Sequence, residues 1–168
     1  MKIIFLDVDG VLNSTDYFRS DDFQAGRKAK DATTFWCNHI SDELIKELNK
    51  ILEATGAKIV VSSSWRKSNH LDSVFKVKGI TFIDCTKNWI DKYINTGYNS
   101  RRGQEIEEWL ERHPEVESYV ILDDDSDMLE SQKKFFIKVD REIGLCDSDC
   151  NKAIEILNQK DSTNEKNI

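Results

Sequence analysis

Residues 2–13 read Lys2-Ile3-Ile4-Phe5-Leu6-Asp7-Val8-Asp9-Gly10-Val11-Leu12-Asn13. A short apolar run that ends in Asp and Gly predicts a strand buried on both faces, the kind a parallel sheet uses. Asp7 and Asp9 stand two apart, so in extended chain their side chains leave the same face. Gly10 lets the backbone turn sharply just beyond them. Two later segments repeat the pattern. Lys58-Ile59-Val60-Val61 runs into Ser62-Ser63-Ser64, and Tyr119-Val120-Ile121-Leu122 runs into Asp123-Asp124-Asp125. In a parallel sheet all three polar sets emerge at one edge.

Helical patterns fill the gaps between these strands. Leu44, Ile45, Leu48, Ile51 and Leu52 form one apolar face, with Ser41 as N-cap and Gly56 as the stop, which predicts a helix over 41–55. A shorter helix is expected over 71–77 and a third strand over 80–83. The next helix is expected over 105–112, halted by Pro114. A fifth strand over 135–139 and a helix over 152–157 close the pattern. The alternation predicts an α/β fold, a three-layer Rossmann-like parallel sheet of about five strands flanked by helices. Residues 1–160 form one core in this reading. Residues 14–40 and 85–102 lack clean periodicity and read as flap or small-cap segments near the strand ends, where open α/β sheets bind ligands. The polar tail 161–168 reads as disordered.

The chain has 168 residues, 39% hydrophobic and 33% charged, which suits one domain with an adequate core. Its mean hydropathy is −0.57 and it has no apolar run of about 18 residues, so no membrane span is expected. The N-terminus does not read as a signal peptide, since aspartates follow the apolar run directly. With 24 basic against 31 acidic side chains the net charge is −7. Such a chain is a poor general nucleic-acid binder, although a local basic patch could still grip one end of a strand. The cysteines Cys37, Cys85, Cys146 and Cys150 form no CxxC pair and no zinc-ligand spacing, and read as reduced thiols of a cytoplasmic protein. His39, His70 and His113 lie in unrelated contexts, so a Ser-His-Asp or Cys-His hydrolase has no support.

Carboxylates that converge on one spot repel one another unless a cation neutralises them. An all-oxygen donor set suits a hard ion, for which Mg²⁺ is the default. Ser62 adds a hydroxyl for an anion. Arg101 and Arg102 open the helix near 105, whose N-terminus also favours anions. Metal, carboxylate nucleophile and cationic clamp together describe phosphoryl transfer.

Asp7-Val8-Asp9-Gly10-Val11-Leu12-Asn13 resembles the first motif of the haloacid dehalogenase (HAD) superfamily. Ser62 after Ile59-Val60-Val61 is similar to the second motif, Arg102 to the third, and Ile121-Leu122-Asp123-Asp124 to the acidic fourth. The four stand in the correct order over nearly the whole chain. The finer pattern Val60-Val61-Ser62-Ser63-Ser64-Trp65-Arg66, with Leu122-Asp123-Asp124-Asp125-Ser126-Asp127-Met128, resembles the phosphatase-like domains of the Swiss-army-knife RNA-repair proteins.

That resemblance implies a phosphomonoesterase in which Asp7 is the nucleophile that becomes an aspartyl-phosphate. Asp9 protonates the leaving oxygen and then deprotonates water, while its backbone carbonyl helps to hold Mg²⁺. Asp7 and Asp124 ligate the metal through their side chains, with Asp123 behind them; an adjacent acidic pair can exchange these roles. Ser62 contacts a phosphoryl oxygen. Arg102 neutralises nucleophile and phosphate, with Arg101 as a competing candidate. Ser63 is a further candidate for substrate contact, although Ser63 and Ser64 fit a turn better. Arg66 either clamps substrate or pairs with a surface acid. Trp65 reads as packing rather than base-stacking, and Asp125 and Asp127 either reinforce the metal site or, the better fit, cap the following helix. Carbon–halogen cleavage is disfavoured, because dehalogenase relatives lack an acid at the Asp9 position.

The core uses most of the chain, which leaves minimal or no cap and an open site. An open site favours phosphorylated polymer ends, such as nucleic-acid termini, over small metabolites. Arg19, Arg27, Lys28 and Lys30 lie among Tyr17, Phe18, Phe35 and Trp36. Such a mixture fits either a surface that tracks a strand and stacks a base, or a solvated loop with a small hydrophobic anchor. The alternatives are a nucleotide or small-metabolite phosphatase and a non-catalytic metal- or phosphate-binding module. Intact Asp7 and Asp9 argue against the module.

Overall fold

A computed structural model describes residues 1–87 and 101–159. Five parallel strands form one sheet in the order β3-β2-β1-β4-β5: β1 (Lys2–Leu6), β2 (Lys58–Val61), β3 (Phe82–Cys85), β4 (Ser118–Asp123) and β5 (Phe136–Lys138). The central strand β1 has no exposed side chain from Ile3 to Leu6. Its alternate residues feed two different cores, as the period of two requires. Ile4 and Leu6 pack with Ile59, Val61, Val120 and Leu122 under α4 (Asp42–Thr55), α5 (Leu71–Val77) and α7 (Asp147–Asn158). Ile3 and Phe5 pack with Val60 and Ile121 under α6 (Arg101–Glu111), through Ile106 and Trp109. Helices therefore cover both faces, and the three-layer α/β architecture is the one the alternation predicts.

Trp109 anchors the second core. Phe5 meets it edge-on at 5.4 Å, and its indole N–H donates to Asp84 at 2.7 Å. The helix α4 keeps both ends the sequence suggests: the Ser41 hydroxyl accepts from Leu44 N–H, and Gly56 closes it in the left-handed region.

Several boundaries differ from the sequence reading, each for a local reason. The third strand starts at Phe82 rather than 80, because the Ile80 N–H bonds back to the Phe75 carbonyl and seats Ile80 in the core as the hydrophobic stop of α5. Phe135 ends a 3₁₀ turn (Glu130–Phe135) rather than opening β5. Helices α6 and α7 begin four and five residues earlier than their apolar spacing shows, since their first turns are polar. Residues 14–40 are not irregular. They fold as α1 (Thr15–Arg19), α2 (Asp21–Gly26) and α3 (Ala32–Cys37), capped by Ser14, Ser20 and Asp31. Helices of five or six residues are too short to show a period. Most of the expected flap 85–102, and the tail 161–168, lie outside the described residues.

The register of the sheet sets its C-terminal edge. Leu6 pairs with Val61 and with Leu122, so Asp7, Ser62 and Asp123 come next on three adjacent strands. Backbone bonds from Asp7 N–H to the Leu122 carbonyl and from Ser62 N–H to the Leu6 carbonyl, both 3.0 Å, hold this edge.

Gly10 turns the chain just past that edge at φ +77°, and a Cβ there would lie 2.5 Å from the Asp124 carboxylate. Gly56 also has positive φ, at +65°, but faces open space. Gly56→Ala should cost about 1–2 kcal/mol of left-handed backbone strain. Gly10→Ala should cost clearly more in urea unfolding, because it adds displacement of Asp124. Equal losses for the two variants would mean that Gly10 and Asp124 are not in such close approach.

Candidate active site

Three carboxylates meet where β1 and β4 end. Asp7, Asp123 and Asp124 each place an oxygen within 4.8 Å of the others. Asp7 and Asp123 are buried, Asp123 completely. Burial pushes both carboxyls above their ordinary range; the neighbouring Arg102 opposes this in each, and Asp7 adds to it in Asp123. The cluster is thus short of positive charge in its present surroundings. Among the described residues one Asp123 oxygen has no hydrogen-bond donor, only Arg102 Nε at 3.3 Å. Hard oxygen donors, buried, crowded and incompletely compensated, fit a small divalent cation such as Mg²⁺.

Two arginines supply counter-charge from opposite sides. Arg102, from the first turn of α6, reaches Asp123 at 3.3 Å and Asp7 at 3.9 Å. Burial works against its charge, but Asp7 and Asp123 outweigh that and hold its pKa above the usual value. Arg101 is exposed. Of the two sequence candidates, Arg102 is the one brought to the carboxylates. Arg141, on the loop after β5, donates from two nitrogens to Asp124 Oδ2, each at 2.6 Å. No sequence signal pointed to Arg141, a charged loop residue in no motif.

The aim of Arg102 depends on how α6 begins. Asp127 accepts from Arg102 N–H at 3.0 Å, and its carbonyl accepts from Gly103 N–H at 3.1 Å. Asp127 does cap a helix, but it is α6 and not the helix that follows in sequence; among the described residues Asp125 accepts only from its neighbour Ser126 N–H. Gly103 allows this contact, since a Cβ would sit 2.5 Å from the Leu129 nitrogen.

In the serine turn after β2 both Ser62 and Ser63 are fully buried. The Ser62 N–H is still part of the sheet ladder, and its hydroxyl has no hydrogen-bond partner among the described residues. Ser63, one residue further out, has a hydroxyl that favours the charged form of Asp7. Among the serines it is therefore Ser63 that the structure brings to Asp7, while its Oγ also accepts from Trp65 N–H. Arg66 has an acid as partner, though not a surface one. It donates to buried Glu105 at 2.6 Å and to the carbonyls of Ser62 and Ser63 at 2.7 and 2.8 Å. This ties the turn to α6.

Asp9 stands apart from the three-carboxylate cluster and is exposed. Its two oxygens accept separate bonds, from Asn13 Nδ2 at 2.9 Å and from Trp65 Nε1 at 3.0 Å. Trp65 is buried, as its reading as a packing residue required, and it also carries this polar contact. The rings of the helical insert gather around His39, with Phe18, Phe23, Phe35 and Trp36 all in contact with it. Arg27, Lys28 and Lys30 are exposed and make no ion pair among the described residues. The aromatics thus act as an anchor, while Arg19 pairs with Asp16 and Glu142, Arg27 donates to Gln24 Oε1 at 3.4 Å, and Lys28 and Lys30 lie exposed at the surface.

No curated protein and no solved structure matches the chain. One family model does, over residues 3–150, from the first residues of β1 into the first turn of α7. The matched span holds Asp7, Asp9, the serine turn, Arg102 and the Asp123–Asp124 pair. The chain belongs to the family of HAD domains found in Swiss Army Knife RNA repair proteins.

Proposed function

We propose that the protein is a Mg²⁺-dependent phosphomonoesterase that removes terminal phosphates from nucleic acid. The observation that carries this reading is the crowding of Asp7, Asp123 and Asp124, with Arg102 against the first two and Asp9 held separately. A binding module needs the cluster but has no use for the separate acid.

Asp7 and Asp124 would hold Mg²⁺ with the Asp9 carbonyl, and Asp123 behind them. The ion would supply positive charge that lets a phosphate dianion approach the carboxylates. Arg102 and the hydroxyls of the serine turn hold the phosphoryl oxygens. Asp7 attacks phosphorus, forming a bond to its carboxylate oxygen as the bond to the substrate oxygen breaks. Asp9 gives its proton to that departing oxygen. In the second step Asp9 takes a proton from water, the water oxygen bonds to phosphorus, and Asp7 is released with inorganic phosphate. Exposed Arg27, Lys28 and Lys30 suit the backbone phosphates of a strand, and the RNA-repair setting of the family agrees with such a substrate.

Mg²⁺ should raise the melting temperature of the wild-type protein, because a ligand that binds only the folded state stabilises it. The rise should be much smaller in Asp124→Asn, and chelator should abolish hydrolysis of an aryl phosphate. Full activity in chelator would refute the metal assignment.

The two aspartates of the first motif should separate kinetically. Asp7→Asn should lose essentially all turnover. Asp9→Asn should lose about 10²–10⁴-fold on a sugar-hydroxyl leaving group, the usual scale of general acid–base catalysis, and far less on an activated aryl phosphate. Acid quenching should trap phosphate on the Asp9→Asn protein. An active Asp7→Asn beside an Asp9→Asn that is dead on every substrate would reverse the assignment.

Phosphorylated oligonucleotides should outcompete mononucleotides at low salt, and the advantage should shrink as salt rises. Replacing Arg27, Lys28 and Lys30 together by Ala should raise KM for oligonucleotides. Equal use of mononucleotide and oligonucleotide would favour a small-metabolite phosphatase instead.

A further inference from the structure

The carboxylate of Asp9 is held more firmly than an exposed acid needs to be. Asn13 donates to one oxygen and the Trp65 indole to the other, so the carboxyl plane is held by donors from the first and second motifs. Neither donor is free to turn away. Asn13 is buried, its carbonyl oxygen accepts from Gly10 N–H at 2.8 Å, and its amide nitrogen also donates to the His39 carbonyl at 3.0 Å. This pattern sets which end of the amide faces Asp9. Trp65 is buried in a 3₁₀ turn (Ser64–Lys67), with Trp36 packed edge-on against it at 5.6 Å. An indole N–H is rigidly attached to its ring and cannot accept.

We infer that Trp65 and Asn13 are positioning residues for Asp9, fixing its carboxyl so that one lone pair of each oxygen stays open toward the leaving group. The inference rests on the reading of Asp9 as the acid and base. Holding a proton donor in its reactive geometry matters because a misplacement of about 1 Å can cost about 10²-fold in rate. Both holders are also tied to the helical insert, Asn13 through the His39 carbonyl and Trp65 through Trp36. Contacts that a substrate makes with α1–α3 would therefore be felt at Asp9.

Trp65→Phe keeps an aromatic ring and removes the N–H. It should lower kcat on a sugar-hydroxyl leaving group by about 10–10²-fold, and lower it much less on an aryl phosphate. In the Asp9→Asn background the same change should have little further effect, because residues that act as one unit are not additive. A second readout needs no turnover. In the nitrogen–proton correlation spectrum, the Trp65 indole signal, assigned by triple-resonance experiments, should move upfield in Asp9→Asn, since a neutral amide accepts more weakly than a carboxylate. Equal loss on both leaving groups, full additivity with Asp9→Asn, or an unmoved indole signal would reduce Trp65 to packing and overturn the inference. Asp9→Asn by itself separates the two levels. If it shows the leaving-group dependence while Trp65→Phe does not, only the positioning role falls; if it shows none, the acid–base reading falls and the positioning role with it.

Discussion

Like-charge repulsion among Asp7, Asp123 and Asp124 is the constraint around which this edge of the molecule is organised. Two unit charges 4 Å apart interact by about 4 kcal/mol at an effective dielectric of about 20. Three carboxylates with oxygens within 4.8 Å of one another therefore need cations on every available side. Arg102 serves Asp7 and Asp123 from beneath α6, and Arg141 serves Asp124 from the loop after β5. The parallel register that brings Asp7 and Asp123 level, and the turn at Gly10 that lets Asp124 approach, create the crowding in the first place.

Much of the surrounding structure exists to aim the groups that answer that charge. Arg102 points correctly because Asp127 and Gly103 set the start of α6 against the loop at Leu129. The serine turn sits correctly because Arg66 binds its carbonyls and reaches Glu105 on the same helix. Removing one partner of such a buried pair typically costs about 3–5 kcal/mol, mainly by leaving a charge unpaired. Helix α6 thus carries the Trp109 core anchor, the clamp for Asp7 and the tether of the serine turn. Its position couples stability to the geometry of the site.

A second coupling runs through the insert between β1 and α4. Its rings pack around His39, and two of its contacts reach the residues that hold Asp9. Arg27, Lys28 and Lys30, just after α2, are exposed on the same insert.

The sequence by itself determined the architecture and the chemistry of the strand ends. Buried strands two residues wide in period, with helical spacing between them, permit little besides a covered parallel sheet, and Asp7, Asp9, Asp123, Asp124 and the serines stand directly after those strands. Local signals also marked both ends of α4, because Ser41 and Gly56 act on backbone groups within a few residues. What the tertiary structure alone decided are contacts between segments remote in sequence, for which no local period exists: Arg141 on Asp124, Asp127 capping a helix that precedes it, Arg66 on Glu105, and Trp65 on Asp9.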